Sequence, residues 1–119
     1  MKIFISAGEP SGDMHAAALM KQLKLLYSDI HFFGIGGKLM EKEGLISIIP
    51  LEQISVVGFY EVIKRLFLFL KLERQCKKVM IEENVDCFIA IDYPGFNLKL
   101  SKFAKKQNIP VYYYIAPQT

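Results

Sequence analysis

The chain alternates short, densely apolar runs with longer stretches whose apolar residues recur at helical spacing. Lys2 to Ser6 and Ile30 to Phe33 read as strands, and so does Asp86 to Ile91, where Cys87-Phe88-Ile89-Ala90-Ile91 is apolar at every position. A strand without a polar face is one covered on both sides, the pattern of a parallel sheet between helix layers. A helix is predicted from about Gly12 to Tyr27, with apolar positions at Met14, Ala17, Ala18, Leu23 and Leu26. After Gly34-Ile35-Gly36-Gly37 comes a short helix near Lys38 to Glu43, closed by Gly44, then an extended piece at Ile46 to Ile49 interrupted by Pro50. A long helix over Val57 to Glu82, a further helix over Phe96 to Gln107 and a last strand over Pro110 to Ile115 complete the pattern. This βαβ alternation predicts an α/β domain with a Rossmann-like, doubly wound parallel sheet.

The long helix carries two apolar strips. At 100° per residue, Phe59, Val62, Ile63, Leu66 and Leu70 share one face, the face expected to pack on the sheet. Val57, Leu68 and Leu72 fall nearly opposite, flanked by Lys64 and Lys71 on one edge and Arg65 on the other. That second strip is expected either to lie in a membrane interface, against acyl chains and anionic headgroups, or to be buried by further protein.

Composition narrows the class. With 119 residues, 52% of them hydrophobic, the chain has the material for one ordinary domain with a core, which argues against disorder. The longest apolar runs fall far short of the roughly 18 residues needed to cross a bilayer, and no signal peptide is recognisable, so a cytoplasmic location is expected. Cys76 and Cys87 are too far apart for a Cys-x-x-Cys pair and are read as reduced packing residues. A formal charge of +3 is mild, and no nucleic-acid partner is expected.

In open parallel sheets the ligand crevice lies beyond the carboxyl ends of the strands, which directs attention to Gly8–Asp13, Gly34–Gly37 and Asp92–Asn97. Gly34-Ile35-Gly36-Gly37-Lys38 resembles a phosphate loop but lacks the glycine and the hydroxyl residue of a Walker A motif, and Leu39 stands where G-x-G-x-x-G needs its third glycine. Its glycines either let the chain turn and pack closely or present amides, from Gly36 and Gly37, to a ligand phosphate or sugar. In Gly8-Glu9-Pro10-Ser11-Gly12-Asp13, Ser11 can cap the following helix and Asp13 can complement its dipole. Glu9 has no packing purpose and suits recognition of a sugar hydroxyl. His15 and His31 lack a second histidine at metal-ligand spacing, and no metal or cofactor is expected. Asp92 follows an apolar strand directly and faces either the crevice mouth or the turn into the next helix.

Taken together, Gly8-Glu9-Pro10-Ser11-Gly12-Asp13, Phe33-Gly34-Ile35-Gly36-Gly37, Val57-Gly58-Phe59-Tyr60-Glu61-Val62, Ile91-Asp92-Tyr93-Pro94-Gly95-Phe96-Asn97 and Tyr114-Ile115-Ala116-Pro117-Gln118 resemble, in order, the motifs of the lipid-A-disaccharide synthase family. The resemblance implies the amino-terminal, acceptor-binding Rossmann-like domain of a GT-B glycosyltransferase over residues 1–119, with the UDP-binding carboxyl-terminal domain absent and the isolated piece therefore inactive. It implies an inverting transfer in which UDP-2,3-diacylglucosamine is the donor, 2,3-diacylglucosamine 1-phosphate the acceptor, and the products are lipid A disaccharide 1-phosphate and UDP. Inversion needs a base for the attacking hydroxyl, and Asp92 matches the family's acidic position. Glu9, Ser11, Gly12, Asp13, Gly36 and Gly37 are implied to bind or frame the acceptor. Gly95 stands where the family usually carries a second acid. The resemblance further implies peripheral association with the inner membrane. Outside it, a flavodoxin-like binding or signalling domain, or a noncatalytic membrane-surface module, also accommodates a strand-end carboxylate.

Overall fold

Among the described residues nine elements follow one another as β1 (Lys2–Ala7), α1 (Pro10–Leu26), β2 (His31–Gly36), α2 (Lys38–Lys42), β3 (Leu45–Pro50), α3 (Phe59–Glu82), β4 (Cys87–Ile91), α4 (Pro94–Lys106) and β5 (Val111–Tyr114). They come from a computed structural model that describes residues 1–50 and 59–114, with side chains described outside 49–50 and 59–67. The strands form one sheet in the order β3-β2-β1-β4-β5, every neighbouring pair parallel. Sequence order runs outward from β1 in one direction, then returns and runs outward in the other. Right-handed crossovers therefore send α1 and α2 to one face and α3 and α4 to the opposite face, which is the doubly wound arrangement expected.

Two cores result, divided by the alternation of side chains along each strand. Ile3, Ile5, Ile89 and Ile91 project to the face covered by Ala16, Ala17 and Met20 of α1 and Met40 of α2. Phe4, Phe88 and Ala90 project to the other, where Leu72, Cys76 and Met80 of α3 meet Leu100 and Ala104 of α4. The all-apolar run in β4 thus feeds both layers. The Phe4 and Phe88 rings pack edge-to-face at 5.7 Å between centroids. Cys76 is buried in this second core, which pushes its thiol pKa up, and both cysteines are free.

Several local expectations are revised. β2 does not end before the glycines: it runs through Gly34 and Gly36. Gly34 has φ of +146°, and a Cβ there would lie 1.9 Å from the Ile5 carbonyl oxygen, so only glycine lets β2 approach β1 at this point. α4 begins at Pro94, placing Pro94 and Gly95 in its first turn. That suits proline, whose missing N–H is unneeded at a helix start. On α1 the inward face is Gly12, Asp13, Ala16, Ala17 and Met20, whereas Met14, Ala18 and Leu26 are exposed.

The largest revision concerns α3. Leu72, expected on the lipid-facing strip, is 1% exposed in the core, and Leu68 packs partly against the same cluster. Leu70, expected on the sheet face, is 48% exposed. The stripe that buries is Leu72, Cys76 and Met80, an i, i+4, i+8 series, and it sets the helix phase opposite to the one its amino-terminal half predicts. Lys71 is exposed as expected. Val57, the side chains of Lys64 and Arg65, and those of Phe59, Val62, Ile63 and Leu66 lie outside the described residues. Replacing Leu72 with alanine is expected to destabilise the fold by about 3 kcal/mol in denaturant titration, whereas Lys71→Ala is expected to leave it within about 0.5 kcal/mol.

Candidate active site at the strand-order reversal

The last rung joining β1 to β4 pairs Ala7 with Ile91. Beyond it the two chains part, because α1 turns to one face of the sheet and α4 to the other. This divergence, between their first loops, is the place where open α/β sheets take ligands. Gly8 and Tyr93 meet across it: a Cβ on Gly8 would lie 2.4 Å from Cδ2 of the Tyr93 ring, so the ring covers the glycine directly.

Asp92 and Tyr93 are consecutive left-handed residues, with φ of 46° and 49°. Each such non-glycine residue costs about 1 kcal/mol or more, so the surrounding contacts must hold the pair in place. The Asp92 N–H donates to the Tyr114 carbonyl at 2.9 Å. The Asp92 carbonyl accepts from Asn97 Nδ2 and from the Tyr113 hydroxyl, both at 2.8 Å. Asp92 is half-buried just past the carboxyl end of β4 and is not sealed in the interior. Burial first, and then the nearby Asp92 charge, push the Tyr113 phenol above its ordinary pKa, so at neutral pH it remains a donor.

The other carboxylates divide sharply. Glu9 is exposed at the N-cap of α1 and its side chain makes no capping bond. Ser11 is exposed in the first helical turn; with Pro10 at the start of the helix, the capping position falls to Glu9 and not to Ser11. Asp13 is 7% exposed and faces inward. Its Oδ1 accepts from the N–H groups of Gly37 and Met40, each at 3.0 Å, and its Oδ2 from that of Leu39 at 3.2 Å. These are orphan donors at the start of α2, so Asp13 caps a helix to which it does not belong.

That capping corrects the reading of the glycine loop. The Gly37 amide, a candidate for a ligand phosphate or sugar, is committed to a carboxylate of the protein itself. A Cβ on Gly37 would lie 2.6 Å from that carboxylate, and one on Gly36 would lie 2.2 Å from Met40 Sδ. Both glycines, like Asp13, frame the fold beside the crevice. Gly12 is buried as well, where a Cβ would reach within 3.3 Å of Ala7 Cβ.

Next to Asp92, a groove of about 520 Å³ runs between α3 and α4. Phe69, Leu70, Tyr93 and Phe96 give it a mostly apolar lining, with Glu73, Gly95 and Lys99 also bordering it. The Phe69, Tyr93 and Phe96 rings form a triangle with centroids 6.1 to 6.4 Å apart. A Cβ on Gly95 would meet nothing within 4 Å among the described residues, so this position has room for a side chain. In the sequence motifs Gly8, Tyr93 and Asn97 carry no evident part, and Tyr113 lies in none of them. The alternation along β5, which turns Val111 and Tyr113 to the same core, was the signal available for Tyr113. Among the described residues no helix is long and apolar enough to cross a membrane, and no group of three or more His, Cys, Asp or Glu is arranged to hold a metal.

The family model described as lipid-A-disaccharide synthetase matches residues 3–119. The chain belongs to the lipid-A-disaccharide synthase family. It is 44% identical over 117 residues to the lipid-A-disaccharide synthase of Chromobacterium violaceum, covering 98% of this chain and 30% of that protein. It is also 44% identical over 118 residues to lipid-A-disaccharide synthase 1 of Legionella pneumophila, covering 98% of this chain and 31% of that protein. The chain thus spans about a third of the length of these relatives. The crystal structure of Acinetobacter baumannii MurG superposes with a TM-score of 0.54 at 16% identity, over 97% of this chain and 34% of that one, a likeness of fold.

Two outcomes follow for this member of the lipid-A-disaccharide synthase family. Asp13→Ala strands three amides and is expected to cost about 3 kcal/mol of stability in denaturant titration. Followed by its ultraviolet absorbance, Tyr113 is expected to ionise above pH ~10. Asp92→Asn should bring that midpoint down, since a neighbouring negative charge opposes phenolate, but not fully, since burial is the larger cause.

Proposed function

We propose that this chain is the acceptor-binding part of an enzyme that condenses UDP-2,3-diacylglucosamine with 2,3-diacylglucosamine 1-phosphate, releasing UDP and inverting the anomeric carbon. Family membership supports the overall reaction. The observation that carries the mechanistic reading is the half-buried carboxylate of Asp92 at the strand-order reversal, held on an over-determined left-handed turn. The acceptor hydroxyl attacks the anomeric carbon from the side opposite UDP. As the new C–O bond forms, the bond to the UDP oxygen breaks with its electron pair leaving on UDP, and the hydroxyl proton passes to the Asp92 carboxylate. The donor nucleotide is held by parts of the protein outside this chain. Glu9, exposed on the opposite lip of the crevice, supplies an acceptor for a sugar hydroxyl, with Ser11 beside it on the same turn.

The acyl chains of the acceptor are assigned to the groove of Phe69, Leu70, Tyr93 and Phe96, in place of the strip that included Leu72. Its volume and apolar lining fit a small-ligand site, and the exposed Lys99 beside it suits an anionic headgroup. We place the protein at the cytoplasmic surface of the inner membrane, drawn there by its acylated substrates.

In the complete enzyme, Asp92→Asn is expected to lower kcat by about 10³-fold while vesicle binding persists; turnover at the wild-type rate would remove Asp92 from the mechanism. Leu70→Ser is expected to raise KM for the acylated acceptor about tenfold with kcat little changed. An unchanged KM would move the acyl site elsewhere.

A further inference from the structure

We propose that Asn97, together with Tyr113, is a positioning residue for Asp92; this rests on the reading of Asp92 as the base. The Asn97 side chain is fully buried. Its Nδ2 lies 3.2 Å from the Ser6 carbonyl, 3.3 Å from that of Ile91 and 2.8 Å from that of Asp92. One amide group with two hydrogens therefore ties the end of β1, the end of β4 and the left-handed turn that follows β4. The shortest of the three contacts is the one to Asp92, and the Tyr113 hydroxyl meets the same carbonyl from β5 at 2.8 Å. The backbone of α4 is itself fixed at this point, since Ser101 Oγ donates to the Asn97 carbonyl at 2.8 Å.

The other half of the Asn97 amide shows what this arrangement costs. Its Oδ1 is buried and finds no hydrogen-bond partner among the described residues. A stranded acceptor is unfavourable, and a leucine of similar volume would fill the space without one. A residue kept for bulk alone would not carry that penalty. The donors on Nδ2 are what the position supplies, and their target is a turn that relaxes to the right-handed side once released. A purely structural account, in which Asn97 only satisfies the strand-end carbonyls of Ser6 and Ile91, gives Tyr113 no part. The convergence of two side chains from different elements on the Asp92 carbonyl is the feature that account leaves over.

The test measures sugar transfer by the complete enzyme with Asn97→Leu, Tyr113→Phe and Asp92→Asn variants, alongside thermal unfolding of each. Loss of the hydroxyl in Tyr113→Phe, with the ring retained, is expected to lower kcat about tenfold. Asn97→Leu is expected to lower it on the order of 10²-fold, as a displaced catalytic group does. In both, KM for donor and acceptor should stay at the wild-type value and unfolding should shift by only a few degrees. A wild-type kcat in either folded variant, or a loss confined to KM, overturns the inference. Should Asn97→Leu not fold, Tyr113→Phe decides alone. Full turnover by Asp92→Asn would remove the base and this inference together. An inactive Asp92→Asn beside a fully active Tyr113→Phe would remove the inference and leave the base in place.

Discussion

Where β1 and β4 end, the backbone faces a problem that the rest of the sheet does not. Inside the sheet each strand carbonyl finds an amide on its neighbour, but beyond the Ala7–Ile91 rung α1 and α4 leave for opposite faces. Carbonyls at such a divergence need donors from elsewhere, since leaving them buried and unpaired is costly. A single buried side chain, Asn97, reaches the Asp92 carbonyl beyond that rung and those of Ser6 and Ile91 in the last rungs of the ladder. The crevice, the left-handed turn and the Tyr93 ring over Gly8 all depend on that divergence being held at a fixed width.

On the neighbouring strand the same kind of need is met in another way. The amides that open α2 would form an anion site if left free, and the glycines leading to them resemble one in sequence. Asp13 reaches across from α1 and occupies it with both carboxylate oxygens. An internal anion there locks α1 to α2, whereas Glu9 stays exposed and Asp92 half-buried. The two carboxylates of one short motif, Glu9 and Asp13, thus serve opposite ends, one facing solvent and one holding the fold.

How much of this was legible in the sequence depended on whether a residue's role was set locally. The apolar run of β4 declared a strand buried on both faces, and a carboxylate placed directly after it had to emerge at the crevice end. Asp13 could not be read the same way. A carboxylate on the inward face of a helix is favourable only because amides distant in sequence converge on it, and no local pattern announces that. The phase of α3 failed for a different reason. With Leu66, Phe67, Leu68, Phe69 and Leu70 in succession, the wheel is apolar nearly all round near its middle, and only the continuation through Cys76 and Met80 selects the buried stripe. For Gly34 the sequence leaves a sharp turn and a close backbone approach equally open, since both call for glycine. What it serves is the close approach of two backbones, a tertiary demand that overrides propensity.

Tyr93 shows the same competition resolved at the site itself. A glycine in its place would accept a φ of 49° without strain and would cap α4 equally well, so local energetics favour replacing it. Glycine, however, would remove the ring that covers Gly8 on one side and joins Phe69 and Phe96 on the other. Among the described residues, the Tyr93 ring both covers Gly8 and lines the apolar groove. Strain of about 1 kcal/mol in the backbone is offset by aromatic contacts of similar size, with the result that the turn bearing Asp92 and the wall of the groove cannot move independently. A shift of the Tyr93 ring would reach Asp92 through the three backbone bonds between their Cα atoms, so the apolar wall and the carboxylate share one anchor.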